Sequence, residues 1–282
     1  MFKYLASQHM PKFVIFSEAF PYGLVIKQLP PDKAWNEAFC DKILRKFHFY
    51  KFYVKYHNSL GCISERYMYG YDIHELPSRL LRDEIILQKI FYWLGKAAAV
   101  AYVFGIGDRG HNERINISET NDIAELFSCT LKSEPIINID FETFPSRRLF
   151  NVYVDVDELG LPFYAVVRQV PGKFRAFLDY YYSLYKRGFM AKLHYIKEVW
   201  REKRKHLSRA LRFYFIANPN DKQDEIIAAI KKRASAEMDK SIFDEALFLI
   251  KDSLEKAGKF ERDFDSKSLK ELRKRIRQQR NL

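Results

Sequence analysis

Cysteine is scarce in this chain: three in 282 residues, Cys40, Cys62 and Cys129, odd in number and far apart. That spacing suggests neither a disulfide framework nor a zinc site. It suits a reducing cytosol, with the cysteines acting as small buried apolar residues. His9, His48, His57, His74, His194 and His206 fall at no metal-ligand spacing. Long apolar runs are also missing. The longest candidate, residues 85–106, is broken by Gln88, Lys89 and Lys96, and no segment has the length that a membrane span requires. The N-terminus carries Lys3 but no long apolar core and no small-residue cleavage site, so no secretory leader is expected. Neither an internal repeat nor a low-complexity linker is present.

What is there is apolar content and positive charge. Hydrophobic residues make up 48% of the chain, enough for a sizeable core in one or two domains. The formal net charge is +12. Such a surface attracts polyanions: nucleic acid, anionic lipid headgroups or phosphorylated substrates. Charge alone does not choose among them. The stretch Arg201, Lys203, Arg204, Lys205, Arg209 and Arg212, with the basic C-terminal segment, reads as solvated faces or as a surface for an anionic partner.

Local patterning predicts strands at Lys12–Phe16 and Gly23–Leu29, with a turn at Phe20-Pro21-Tyr22-Gly23. Pro30-Pro31-Asp32 then opens a helix, with Asp32 as its N-cap and Trp35, Phe39, Ile43 and Leu44 as its apolar stripe. Residues 45–73 are dense in aromatics, which read as core more readily than as a base-stacking platform. Cys62–Tyr69 reads as a further strand or a hinge. A strongly apolar helix is expected over Leu80–Phe104, where Ala97-Ala98-Ala99 allows close packing. Further helices are expected over Phe174–Ile216, Asp224–Ala236, Ser241–Ala257 and Ser268–Gln279, the last opened by a Ser268/Glu271 capping box.

Two segments carry the chemistry. Residues 105–116 read Gly-Ile-Gly-Asp-Arg-Gly-His-Asn-Glu-Arg-Ile-Asn, and residues 137–142 read Ile-Asn-Ile-Asp-Phe-Glu. Each places an aspartate, Asp108 or Asp140, where an apolar element gives way to a polar loop. Phosphoryl transfer from ATP needs two such groups, one near the attacking hydroxyl and one on the metal that bridges the phosphates.

The ordered set resembles the catalytic and activation segments of the phosphatidylinositol 3- and 4-kinase superfamily, whose pattern is Gly-Asp-Arg-His-x-x-Asn followed by Ile-Asp-Phe-Gly. The N-terminal third extends the resemblance to about residues 1–165. Ala6-Ser7-Gln8-His9-Met10-Pro11 is similar to the family's Ser-containing phosphate loop. Val25-Ile26-Lys27 is similar to the strand whose Lys contacts ATP phosphates, and Asn36-Glu37 sits where the family has an acidic partner for that Lys. The resemblance implies an α+β, bilobal, protein-kinase-like fold. Residues 1–75 would form a small lobe of strands and one helix, and residues 76–282 a larger, mostly helical lobe. It implies ATP and Mg²⁺ as cofactors, with Ser7, Lys27 and Glu37 at the nucleotide and Asp108, His111 and Lys27 in the chemistry. Asp140 would bind the metal, and Arg147 and Arg148 would contact a phosphorylated headgroup or an acidic protein substrate.

Three departures separate the chain from the family pattern. Gly110 is inserted between Arg109 and His111. The family's metal-binding Asn falls on Arg114, which cannot ligate Mg²⁺, so Asn112, with Asn116 behind it, becomes the candidate. The Gly after Asp-Phe is Glu142, an additional oxygen donor suited to a hard cation. The expected activity is transfer of the γ-phosphate to a hydroxyl of a lipid headgroup or of protein Ser/Thr. The expected location is cytoplasmic, at an acidic membrane surface where lipid is the acceptor. Two other classes remain open: an inactive pseudokinase scaffold, and a nucleic-acid-binding protein that uses its basic helical tail.

Overall fold

Short β-branched and aromatic segments build the first sheet of the computed structural model, which describes residues 2–5, 12–18, 20–46, 53–67, 69–106, 113–117, 122–127, 134–138, 156–217, 223–235, 238 and 240–264. Strands β1 (Phe2–Leu5), β2 (Lys12–Ser17) and β3 (Phe20–Gln28) lead into helix α1 (Pro31–Lys46), and β4 (Lys55–His57) and β5 (Cys62–Arg66) follow it. All pairs are antiparallel, in the order β1-β2-β3-β5-β4. The residues expected to turn, Phe20 to Gly23, are strand instead. A register irregularity between Ile15 and Ser17 brings Ser17 opposite Phe20, so the reversal is completed before Pro21. Gly23 then continues the strand at φ 80°, a backbone conformation that favours glycine.

Pro31 suits the first position of α1, where an N–H would have no partner within the helix. Ala34 N–H already donates to Pro30 O (2.9 Å), so Asp32 lies inside the first turn rather than at its cap. Ala34, Phe39, Cys40 and Leu44 are buried, and the Trp35 ring lies 5.2 Å from that of Tyr56 on β4. Buried Asp41 accepts Val54 N–H (3.2 Å) and pairs with Arg45 Nε (2.9 Å), fastening the helix to the chain that enters β4.

The chain crosses to a second sheet at residues 67–69. Tyr67 N–H donates to Gly23 O in the first sheet (3.0 Å), and Tyr69 O accepts Ile117 N–H from the chain leaving the second (2.9 Å). Next come β6 (Gly70–Asp72), α2 (Ser78–Leu81), α3 (Glu84–Phe104), β7 (Glu113–Asn116), α4 (Ile123–Leu126) and β8 (Ile136–Asn138), with an antiparallel sheet of order β6-β7-β8. Helices α5 (Val156–Val167), α6 (Gly172–Arg175), α7 (Leu178–Ala217), α8 (Gln223–Ser235) and α9 (Ser241–Phe264) complete the described chain. The architecture is α+β. The helix expected over Ser268–Gln279, with its capping box, lies outside the described residues. Among those described, no helix is long and apolar enough to cross a membrane.

Helix α3 is the axis of the second half. Asp83 caps it by accepting Ile86 N–H (3.0 Å), and Gly105 ends it in the left-handed conformation. Its contact with α7 depends on two glycines. A Cβ at Gly95 would overlap the Tyr185 carbonyl oxygen, and one at Gly188 would overlap that of Tyr92. Position numbers rise on one helix as they fall on the other, so the pair is antiparallel. Backbones this close leave no room for a methyl group. Around the contact, Phe91 packs on Phe163 (4.8 Å) and Tyr181 (4.9 Å), and Phe189 packs on Phe243 (5.3 Å). Buried Tyr185 donates its hydroxyl to Leu159 O (2.7 Å), which ties α7 to α5. Arg233 of α8 donates to Tyr102 O (2.7 Å), satisfying a carbonyl in the last turn of α3.

Gly188→Ala is therefore expected to cost about 1–3 kcal/mol through overpacking, read as a lower urea midpoint with an unchanged slope. A midpoint equal to that of the unsubstituted protein would contradict the close helix approach.

Candidate functional site

Lysine is rarely buried without a charge partner. Lys27, near the end of β3, is 5% exposed, and its Nζ lies 3.0 and 3.2 Å from the two carboxylate oxygens of Glu37 on α1. Glu37 is fully buried. A second carboxylate, Glu65 on β5, approaches the same Nζ at 2.9 Å. The strand register explains the arrangement. Val25 is opposite Glu65 and Lys27 is opposite Ile63, so Glu65 is a diagonal cross-strand neighbour of Lys27 on one sheet face. From the second turn of α1, Glu37 approaches the same ammonium.

The registers also fix where the loops attach. Leu5 is opposite Lys12, and Lys12 is opposite Lys27. The connection 6–11, which contains Ser7, thus joins the sheet in the cross-strand row of Lys27. In the second sheet Glu113 is opposite Asn138. Residues 107–112 immediately precede Glu113, and residues 139–142 immediately follow Asn138. The stretches that carry Asp108 and Asp140 are therefore bonded to the same end of one hairpin. On the other side of the first stretch, Gly105 N–H and Ile106 N–H both donate to Ala101 O, and Ile106 is buried against the core.

Ser7, Asp108, His111, Asn112, Asp140, Glu142, Arg147 and Arg148 themselves lie outside the described residues. Among the described residues, no three His, Cys, Asp or Glu side chains gather as a metal set. Arg114 has a structural role: its Nε (2.9 Å) and Nη2 (2.8 Å) both reach Asp72 Oδ1 across the β6–β7 pair. Asn116, the reserve metal candidate, is buried on β7 opposite Gly70, with its N–H donating to Pro135 O (2.8 Å).

Sequence reasoning missed Glu65 and Glu113. Glu65 meets Lys27 only through strand pairing, which no local spacing encodes. Glu113 is fully buried at the start of β7; desolvation holds the buried Tyr185 phenol well above its usual range, with Tyr182 and then Glu113 adding to the shift. Its adjacency to His111-Asn112 was the available signal. Ahead of β8, Glu134 pairs with Lys192 of α7. Burial pulls the Lys192 ammonium below the ordinary lysine range, while Glu134 opposes that shift. At the crossing between sheets, Phe16, Tyr67 and Tyr69 form a ring cluster with centroids 4.8–6.1 Å apart.

The arrangement is a buried cation compensated by two carboxylates, in line with a loop attachment that carries a serine. A phosphate-bearing ligand could engage that cation by taking the place of Glu65, the more exposed of the two carboxylates. No protein-family model matches the chain, and no curated protein sequence matches it.

Removing Lys27 leaves Glu37 buried without its cation. Lys27→Met is expected to lose about 3–5 kcal/mol of unfolding free energy in urea titration, and Lys27→Met/Glu37→Leu to recover a large part of it. A single variant as stable as the parent would contradict the buried pair.

Proposed function

We propose that this chain is an ATP- and Mg²⁺-dependent phosphotransferase of bilobal, protein-kinase-like architecture, with the first sheet and α1 as the small lobe and the helical remainder as the large one. The observation that carries this reading is the Lys27–Glu37 pair. Active protein kinases require an ion pair between a Lys on the third strand and a Glu on the helix that follows. Here Val25-Ile26-Lys27 is on the third strand, Glu37 is on the next helix, and the pair is buried. Two further observations support it. The serine-containing connection joins the sheet in the row of Lys27. A long helix, a polar stretch with Asp108, a hairpin and a stretch with Asp140 then follow in order.

Bound Mg²⁺-ATP would supply the transferable phosphoryl group and part of the charge neutralisation around it. Lys27 would hold the phosphates as a compact cation, with Glu37 fixing the direction of its ammonium. Ser7 and neighbouring N–H groups would cover the phosphates. Asp140, with Asn112 and Glu142, would hold the metal. Asp108 would orient the acceptor hydroxyl, and His111 would receive its proton. Arg147 and Arg148 would take a phosphorylated lipid headgroup or an acidic protein segment by forked hydrogen bonds. A cytoplasmic location at an acidic membrane surface goes with a lipid acceptor.

The Glu65 contact favours a second reading, an inactive pseudokinase scaffold. With two carboxylates on one ammonium, Lys27 is already fully compensated, and Glu65 competes with the phosphates.

Labelled ATP with Mg²⁺, offered alone, with lipid vesicles and with protein substrates, separates the readings: label on an acceptor supports the kinase, and label nowhere supports the scaffold. In the kinase, Asp140→Ala abolishes turnover, and Lys27→Met lowers kcat/KM by about a hundredfold or more. Turnover by either variant at the parental rate would remove that residue from the site. Glu65→Gln is expected to lower the KM for ATP about threefold to tenfold by freeing Lys27, as judged from initial rates; an unchanged or higher KM would contradict the competition.

A further inference from the structure

Away from the Lys27 site, helices α7 and α8 border an open cleft of about 680 Å³ whose lining includes His194, Lys197, Glu198, Arg201, Arg204 and Lys231. Lys197, Arg201 and Arg204 stand four and then three positions apart, on one face of α7. Lys231 and Ser235, also one helical turn apart, line the α8 side. The one carboxylate among these residues, Glu198, is already engaged by His194 at 3.2 Å. Lys197, Arg201, Arg204 and Lys231 make no side-chain ion pair among the described residues. Elsewhere in the helical half cations do find acids: Lys251 of α9 pairs with Asp179 of α7 at 2.6 Å, and Lys256 with Asp252 within α9 at 2.6 Å.

Four cations facing a shared concavity repel one another, and that repulsion is relieved by an anion bound among them. The cleft has the volume of a small-molecule site. Three of its cations stand on one face of α7 and the fourth, Lys231, stands on α8, so the charge is gathered across a cleft and not along α7 alone. Two arginines provide planar forks for phosphate oxygens, and two lysines add point charges.

We propose that this cleft binds a small organic polyphosphate, a molecule or lipid headgroup bearing two or more phosphate groups, independently of the nucleotide reading above. The test is calorimetric titration of the full chain with inositol hexakisphosphate at about 0.15 M ionic strength. It is run on the parent, on Arg201→Ala/Lys231→Ala, on Arg201→Lys and on Lys27→Met/Glu37→Leu. Saturable binding is expected in the parent and should weaken about tenfold or more in Arg201→Ala/Lys231→Ala. Arg201→Lys should retain most of it, and Lys27→Met/Glu37→Leu, which removes the Lys27 cation without leaving Glu37 buried and uncompensated, should leave it unchanged. Arg201 and Lys231 are exposed, so the thermal midpoint of the double variant should match the parent's and rule out misfolding. Co-sedimentation with phosphoinositide vesicles, compared with phosphatidylserine vesicles, distinguishes a membrane headgroup from a soluble ligand. No binding by the parent, equal binding by Arg201→Ala/Lys231→Ala, or loss of binding in Lys27→Met/Glu37→Leu would overturn the assignment. So would tighter, competing binding of single-stranded RNA that depends on Arg201 and Lys231.

Discussion

The arrangement of the first half depends on one buried ammonium. Lys27 costs free energy to desolvate, and Glu37 offsets that cost only if α1 sits flat against the sheet at the right rotation. The pair therefore acts as a positional constraint more than as a source of stability. It sets where α1 lies, and α1 in turn, through Asp41 and Trp35, sets how the chain enters β4. A hydrophobic pair of similar volume would serve stability equally well. That a charged pair occupies the position is the reason to look for a ligand there.

The second half is organised differently. Its rigidity comes from α3 and α7, held backbone to backbone at Gly95 and Gly188 and surrounded by stacked aromatic rings. The hairpin of β7 and β8 leans on this framework: Ile115 and Ile136 are buried, and Glu134 is tied to α7 through Lys192. The ends of that hairpin, where the two aspartate-bearing stretches attach, are thus anchored to rigid elements, as positioned chemistry requires.

Much of this was legible in the sequence wherever a periodic pattern was long. The helices over α3, α7, α8 and α9 followed from their apolar spacing, and β2 and β3 from their β-branched and aromatic content. The pairing of Lys27 with Glu37 followed from family resemblance rather than from periodicity. Phe20-Pro21-Tyr22-Gly23 looked like a turn because Pro and Gly usually punctuate, yet a register shift absorbed them into β3. Helix α5 was missed because Pro162 sits inside it. Strand β1 was missed because four residues carry too little pattern. Gly188 lies inside a helix expected from its apolar spacing, but its role as a packing contact shows only when α3 is set against α7. Glu65 could not be found at all, because strand register depends on the whole sheet.

The claim that the ammonium of Lys27 is placed for phosphate is tested most directly by thermal unfolding with increasing ATP in the presence of Mg²⁺, parent against Lys27→Met. The parent's Tm should climb steadily with nucleotide concentration, as binding to the folded state alone requires, and the Tm of Lys27→Met should stay flat. A parent that does not respond, or a variant whose Tm climbs as steeply, would contradict the account.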